Sequence, residues 1–391
     1  MDLPERYVRL CLRVGRHSDG FVDAYVGPPE WERAVAAEEP ADPPRLQDEA
    51  TALLVALEDA GLEDDRTRWL RGQLEALECV TARLSAAEIG WADEVERCFG
   101  VRPRRTETSA FAEAHRRLDA ALSGPGTLRD RYLAWEERNA VPRETLVPAL
   151  MRLKDVLGPR AHALAAMPPE ESVSYELVSG EAWLAYNWYQ GDFRSRIDVN
   201  ADLPISIVVL ADLAAHEAYP GHHTERTAKD ARLLRAQHRV ETSITIISAP
   251  EALISEGIAT NALEQALGSD PFAVVADVLD GLDLGFDPAE VHEINTAGQA
   301  LEDVGTNAAF MLNEDGVARE DVEEYLRDWG LASDAKASRA VAFFTEPSSR
   351  IYVSTYTDGR RLCKDYVERA PENFTRLLTE QLTVGDIADV A

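Results

Sequence analysis

The sequence predicts a mainly α, multi-helical protein with a two-lobed body and a small β-sheet. Apolar residues make up 45% of the chain and charged residues 28%, which is ordinary for a globular protein with a sizeable core. Apolar side chains recur at helical spacing through most of its length, and only two short segments alternate. We therefore expect an N-terminal helical lobe over residues 1–170 and a second lobe over 171–391, with a cleft between them.

The N-terminal lobe is predicted to be helical throughout. Between Arg45 and Gly61, and again between Asp64 and Ala86, leucines recur every three or four residues. Further helical segments are predicted at 110–122, 128–139 and 143–165, and stretches containing proline or glycine separate them. Its isolated histidines form no cluster with ligand spacing, so this lobe shows no candidate site of its own.

The pattern changes between residues 171 and 201. Val173–Leu177 and Arg194–Asn200 alternate in polarity and are predicted strands. A dense aromatic group, residues 183–193, lies between them. Helical character returns with Asp202 as the predicted cap and Pro204 in the first turn.

The rest of the second lobe is again predicted to be helical. The segments are 224–240, 250–267, 271–280, 287–313, 318–329, 334–345 and 359–381. Residues 350–356 are compatible with either an extended segment or the start of a helix, because periodicity does not distinguish the two in so short a run.

The charge of the chain restricts its partners. There are 40 basic and 70 acidic residues, so the formal net charge is −30. Such a chain repels nucleic acid and anionic membrane surfaces. The N-terminus shows no signal peptide, and the four cysteines are scattered without a CxxC pair. We therefore expect a cytoplasmic protein with reduced thiols.

Three of the eight histidines fall in one octapeptide, His216-Glu217-Ala218-Tyr219-Pro220-Gly221-His222-His223. Two histidines and a glutamate near one point can bind Zn²⁺ and supply a general base. On an ideal helix His223 would share the face of His216, whereas a break at Pro220-Gly221 would bring His222 back toward it. The spacing alone leaves both histidines open as the second ligand.

A zinc site with an open position needs a third protein ligand. Glu256 lies on a predicted helix among small and apolar neighbours, which suits a partly buried carboxylate. Glu251 and Glu264 are its rivals on the same helix. A second His-Glu pair, His292-Glu293, lacks a following residue that would complete a site.

The residues His216-Glu217-x-x-Pro220-Gly221-His222, followed by Ser255-Glu256-Gly257, resemble a bacterial domain-of-unknown-function family marked by an HExxPGH motif and a downstream EGWA-type helix. That family is similar to gluzincin-like zinc peptidases. The resemblance covers roughly residues 170–391 and, more loosely, the helical N-terminal half. It implies one Zn²⁺ per chain held by His216, His222 and Glu256, with Glu217 as general base, and it favours His222 over His223. Here Ile258 replaces the family's tryptophan after Gly257.

Further roles follow as hypotheses if the chain cleaves a peptide or peptide-like small substrate. Tyr356 or Tyr352 would donate to the oxyanion, since Tyr356 begins a segment similar to the family's Y-x-x-G-R turn. The substrate-binding candidates are Arg350, Arg360 and His223, and the strand Arg194–Asn200 would pair with an extended peptide. Glu225 and Asp212 are candidates to orient the ligand histidines.

Two other functions remain open on the sequence. One is a non-catalytic helical ligand-binding protein with a structural or degenerate metal site, whose pocket the aromatic group 183–193 would line. The other is a metal hydrolase of non-peptide amides or esters, which residue types do not separate from a peptidase.

Overall fold

The computed structural model describes residues 2–388, and within them the fold is mainly α, as the sequence predicts. The first half contains α1 (Leu3–Gly15), β1 (Val22–Tyr25), α2 (Pro29–Ala37), α3 (Pro43–Leu57), α4 (Asp64–Leu84), α5 (Trp91–Phe99), α6 (Thr108–Ala121), α7 (Leu128–Arg138), α8 (Arg143–Leu164), β2 (Ser172–Val178), β3 (Ala185–Tyr189) and β4 (Arg194–Asn200).

The second half begins with the helix that leads into the octapeptide. Its elements are α9 (Ile207–Leu213), a π-helical turn (Ala214–Ala218), α10 (His222–Lys229), a π-helical turn (Asp230–Ala236), a 3₁₀ turn (Val240–Ser243), β5 (Ile244–Ile246), α11 (Pro250–Leu267), α12 (Pro271–Leu279), α13 (Pro288–Gly298), a 3₁₀ turn (Gln299–Asp303), α14 (Val304–Asn313), α15 (Arg319–Trp329), α16 (Asp334–Thr345), a π-helical turn (Thr355–Gly359), α17 (Arg360–Arg369), α18 (Asn373–Thr379) and α19 (Val384–Ala388).

Both predicted strands are confirmed as β2 and β4, and the structure adds a third strand from the aromatic group. The sheet order is β2-β4-β3, with β4 parallel to β2 and antiparallel to β3. Because β4 is the central strand, both of its edges are already hydrogen-bonded, so the prediction that Arg194–Asn200 pairs with an extended peptide is wrong. A second sheet joins β1 to β5 and was not predicted.

The helix before the octapeptide starts later than predicted. Ser206, not Asp202, caps α9, and Pro204 lies outside the helix. The carbonyl oxygen of Ile205 accepts a hydrogen bond from the Val141 amide at 2.8 Å, which holds the chain extended up to Ser206. Asp202 instead accepts a hydrogen bond from the amide of Gly180.

Two long predicted helices are interrupted. The predicted helix 287–313 consists of α13 and α14 with the 3₁₀ turn between them. The predicted helix 359–381 divides into α17 and α18 at Ala370-Pro371, where proline cannot continue the hydrogen-bond ladder. Residues 350–352 form a turn, and the helical residues Val353 and Ser354 lead into the π-helical turn Thr355–Gly359, so this segment is not a strand.

The buried apolar residues form two clusters. One contains side chains from 3–111 and from 244–353, and the other contains side chains from 118–167 and from 197–387. Each cluster therefore contains residues from both sides of residue 170. The two-lobed division at that residue stays a prediction.

Helix α11 and the turn Thr355–Gly359 are in backbone contact. A Cβ atom on Gly257 would collide with the carbonyl oxygen of Gly359, and a Cβ atom on Gly359 would collide with that of Leu253. Glycine at both positions therefore lets the two backbones meet. This contact fixes the helix that carries Glu256 against the segment that carries Tyr356.

No helix within residues 2–388 is both long and apolar enough to cross a bilayer. The four cysteines are free and buried, in agreement with the expected reduced thiols.

We expect Gly359→Ala to destabilise the protein by about 1–3 kcal/mol, because the added methyl group has no room between two backbones. Thermal unfolding of the variant and the wild type measures the difference. Gly72→Ala, in the middle of α4, is the matched control: its methyl group would contact Pro250 Cγ at 3.4 Å. That substitution should be neutral or stabilise by roughly 0.5–1 kcal/mol. Equal melting temperatures for Gly359→Ala and the wild type would contradict the close contact.

Candidate metal centre

The octapeptide lies on a broken helix. His216 and Glu217 belong to the π-helical turn Ala214–Ala218, and the chain leaves helical geometry at Tyr219 (φ −128°, ψ 118°). A Cβ atom on Gly221 would collide with the carbonyl oxygens of Ala215 and His216, and the Gly221 amide donates to Ala215 at 2.9 Å. Because Pro220 has no amide hydrogen and residue 221 has no side chain, the backbone reverses here and restarts as α10 at His222.

This reversal brings His222 and His216 to the same carboxylate. His216 Nε2 lies 3.4 Å from Glu256 Oε2, and His222 Nε2 lies 3.5 Å from Glu256 Oε1. One ligand atom from each residue lies within 4.8 Å of the others, and the imidazole rings are perpendicular. Two ligands of one tetrahedral zinc ion are about 3.3 Å apart, given bond lengths near 2.0–2.1 Å. The cluster His216, His222 and Glu256 can therefore hold a metal ion.

The electrostatics of the cluster also fit a cation. Burial lowers the pKa of His216, but the Glu256 carboxylate outweighs it and raises that pKa to about 9. Burial likewise opposes ionisation of Glu256, yet the two imidazoles hold its pKa well below the ordinary value. Glu256 Oε2 is buried and has no hydrogen-bond partner among the described residues. A buried carboxylate oxygen normally has a hydrogen-bond donor, and a bound cation would take the place of that donor here.

The other nitrogen of His222 is held by a chain of polar groups. Ser255 Oγ lies 3.1 Å from His222 Nδ1 and donates to Glu225 Oε2 at 2.5 Å, so it accepts from Nδ1–H. Burial raises the pKa of Glu225, but Lys229 Nζ at 2.6 Å outweighs it and lowers that pKa. The ionised Glu225 thus acts on His222 through Ser255, and leaves Nε2 free to bind a metal.

His223 faces away from the cluster. It is fully buried, with Nδ1 2.8 Å from Ser195 Oγ and Nε2 2.8 Å from Glu171 Oε2. Both ring nitrogens are occupied, so it contributes neither a metal ligand nor the substrate contact we expected. The structure therefore brings His222, and not His223, to His216 and Glu256.

Glu171 is a residue that sequence reasoning missed. It accepts hydrogen bonds from His223 at 2.8 Å and from the Tyr219 hydroxyl at 2.5 Å, so it holds both sides of the Pro220-Gly221 reversal. Burial raises the pKa of its carboxyl, but these donors outweigh it and lower that pKa to about 2. No spacing signal connects Glu171 to the octapeptide, because the contact spans the sheet.

A cavity of about 690 Å³ opens beside the cluster. Its lining comes from the loop before β3, from α9 and the octapeptide, from α16 and from the segment after it. The lining residues are Ala182, Trp183, Leu184, Ala185, Val209, Asp212, Leu213, His216, Glu217, Arg339, Ala342, Phe343, Glu346, Ser349 and Tyr356. Glu217 and His216 therefore face a space that is large enough for a small organic molecule.

The two tyrosine candidates occupy different positions. Tyr352 donates its hydroxyl to Glu256 Oε1 at 2.7 Å, so it orients the carboxylate and is not available to a substrate oxyanion. Tyr356 is 40% exposed and lines the cavity, with its ring 5.6 Å from that of Tyr352. Of the two, Tyr356 is placed to donate to a bound molecule.

The predicted substrate arginines are bound elsewhere. Arg350 donates from Nε to Glu94 at 2.9 Å, and Arg360 pairs with Glu302. Neither arginine lines the cavity. We expected both to bind a substrate carboxylate, but in the structure each contacts a glutamate of the protein instead. Asp212 lines the cavity, but within residues 2–388 its side chain forms no hydrogen bond to His216, so it does not orient that ring directly.

The rival carboxylates also lie apart from the cluster. Glu251 is 3.8 Å from Lys229 Nζ, and Glu264 is 3.4 Å from Lys364 Nζ. Of the aromatic side chains in 183–193, only Trp183 lines the cavity. Trp188 and Tyr189, for example, donate hydrogen bonds to Asp198 and Asp230.

No protein-family model matches the chain, and no curated protein matches it. Among solved structures, it is similar to a "putative lipoprotein" from Colwellia psychrerythraea, at 14% identity and a TM-score of 0.51 over 88% of this chain and 68% of that one.

A second "putative lipoprotein", from Shewanella oneidensis, is 13% identical with a TM-score of 0.49 over 92% of this chain and 75% of that one. An M32 carboxypeptidase from Deinococcus radiodurans R1 is 12% identical with a TM-score of 0.39 over 99% of this chain and 89% of that one. The first of the three similarities shows that the overall fold occurs in another solved protein; none of them assigns a function.

Proposed function

We propose that this protein is a zinc-dependent hydrolase, a metallopeptidase that cleaves peptide or peptide-like amide bonds. The observation that carries the proposal is the arrangement of Glu217 beside a His–His–Glu cluster on the wall of one cavity. Two imidazoles and one carboxylate leave a zinc ion an open coordination position, which is the usual composition of a catalytic zinc site.

When bound, zinc supplies Lewis acidity, which polarises a carbonyl group and lowers the pKa of a water molecule toward neutrality. Glu217 has no described side-chain hydrogen bond and lines the cavity, so its carboxylate would be free to take a proton from a water molecule and pass it to the leaving amine. The Tyr356 hydroxyl donates to the oxygen that becomes negative. Tyr352 and Ser255 keep Glu256 and His222 oriented.

The first prediction concerns metal content. Protein stripped with a chelator should take up about one zinc per chain, as measured by elemental analysis and calorimetry. His216→Ala, His222→Ala and Glu256→Ala should each abolish tight uptake while circular dichroism stays helical. His292→Ala is the control, because His292 is the half-exposed histidine of the other His-Glu pair. Uptake that survives all three cluster variants would rule out this site.

The second prediction concerns the general base. Glu217→Gln should retain zinc and lose amide hydrolysis by on the order of 100-fold or more, because an amide side chain accepts no proton. Glu293→Gln, from the other His-Glu pair, should behave as the wild type. Turnover would be measured on a panel of blocked peptides, amides and esters. Full activity of Glu217→Gln would disprove the assignment.

The panel also separates the other two functions. Hydrolysis of esters but of no amide would place the protein among metal hydrolases of non-peptide substrates. Zinc uptake without turnover of any member would favour a ligand-binding protein with a degenerate site.

The third prediction concerns the orientation of His222. Ser255→Ala removes the acceptor from Nδ1 and should weaken zinc binding by roughly 10–100-fold. Ser195→Ala removes a serine hydroxyl from Nδ1 of the neighbouring His223, and should leave zinc affinity within about threefold because His223 does not reach the cluster. Equal effects of the two variants would contradict the assignment of His222 as the ligand.

A further inference from the structure

Arg339 presents a guanidinium group to the same cavity without a counter-ion. It lies on α16, which lines the cavity with Arg339, Ala342 and Phe343, and Glu346 follows directly after the helix. Within residues 2–388, no carboxylate lies within 4.0 Å of it and no hydrogen bond is formed by its side chain. Its neighbour Lys336, one turn earlier, is paired with Glu136 at 2.7 Å.

Several other arginines within residues 2–388 also have no carboxylate partner, but among the residues that line this cavity Arg339 is the only arginine. The chain has 30 more acidic than basic residues, and most of the arginines that pack against other elements find a carboxylate. A half-buried guanidinium presents five donors in a planar fork, which matches the two oxygens of a carboxylate. An arginine kept free on a cavity wall is therefore available to a bound anion.

The other residues that line the cavity restrict the kind of molecule that could carry this anion. Trp183, Leu184, Leu213 and Phe343 make much of the wall apolar, and Phe343 is 37% exposed despite its size. The other charged lining groups besides His216 are the carboxylates of Asp212, Glu217 and Glu346, which repel an anion. A ligand carboxylate would therefore be most favourable beside Arg339, and an apolar side chain of the same ligand would pack against the aromatic rings.

We propose that Arg339 binds the free α-carboxylate of the substrate, which is a peptide or N-acyl amino acid whose terminal side chain is apolar. This inference rests on the proposed hydrolase function and specifies its substrate class. In the reaction, the oxygen of water bonds to the amide carbon and the C–N bond breaks. The amine leaves with the proton that Glu217 took from the water, so the products are a carboxylate and a free apolar amino acid.

The test compares matched substrates. N-acetyl-alanyl-phenylalanine, its C-terminal methylamide and N-acetyl-alanyl-aspartate differ only in the groups that Arg339 and the apolar wall would contact. Wild-type kcat/KM should be highest for the free phenylalanine acid. Arg339→Gln should lower it by on the order of 100-fold for that acid and leave the methylamide nearly unchanged. Arg339→Lys should recover part of the loss, since a single ammonium replaces the fork.

Lys336→Gln is the control, because it removes from the same helix a cation that is already paired with Glu136. Its kcat/KM should stay within about threefold of the wild-type value. A methylamide cleaved as fast as the free acid by the wild type, or an Arg339→Gln variant that slows both equally, would overturn the role of Arg339 while leaving the hydrolase proposal intact.

Binding without turnover separates the two proposals. Calorimetry of N-acetyl-phenylalanine and of its amide with the Glu217→Gln protein should show tighter binding of the acid by on the order of 100-fold, lost in the additional Arg339→Gln variant. Equal affinities for acid and amide would disprove the inference even if the enzyme is active. Arg339-dependent binding in a protein that hydrolyses nothing would support the inference and refute the proposed function.

Discussion

The absence of a side chain at residue 221 governs the geometry of the candidate site. The backbone of Gly221 packs directly on the carbonyl oxygens of Ala215 and His216, and this contact reverses the chain within three residues. A continuous helix would carry His222 about 120° around the axis from His216. With the reversal, both imidazoles approach Glu256 at 3.4–3.5 Å, and Glu217 remains on the adjoining helical turn beside the cavity.

The reversal is supported by buried polar groups on both sides. Glu171 binds Tyr219 and His223, the two residues that flank Pro220-Gly221-His222. On the other side, Ser255 and Glu225 bind His222, and Lys229 compensates the charge of Glu225. Because unpaired buried charges are costly, these partners define one arrangement of the turn rather than several. These partners therefore hold His222 in the arrangement with His216 and Glu256 that could bind a metal ion.

Local patterns in the sequence were sufficient to predict much of the fold and the location of the candidate site. Apolar spacing predicted the helical fold, alternation predicted β2 and β4, and the octapeptide with Glu256 located the cluster. The choice between His222 and His223 needed the resemblance, because ideal helical geometry favours neither once Pro220 breaks the helix. The start of α9 could not be predicted, since the backbone of Val141 holds the preceding residues extended.

Contacts between distant segments could not be predicted from the sequence. Nothing local distinguishes Arg339, which lines the cavity, from Arg350, which Glu94 binds, because the difference lies in what each side chain meets after folding. The same holds for Glu171 and for Tyr352, whose roles depend on neighbours 52 and 96 residues away. Residue types fix the chemistry available, and tertiary packing assigns it to particular positions.

The backbone contact between Gly257 and Gly359 links two parts of the molecule that the octapeptide does not include. It couples Glu256, a candidate metal ligand, to the segment that carries Tyr356, so a change at either glycine would shift both. Relatives that keep the histidine motif can therefore be sorted by this pair of glycines. A homologue that has replaced one glycine and not the other would place the glutamate and the tyrosine differently from this protein, even with every polar residue of the candidate site retained.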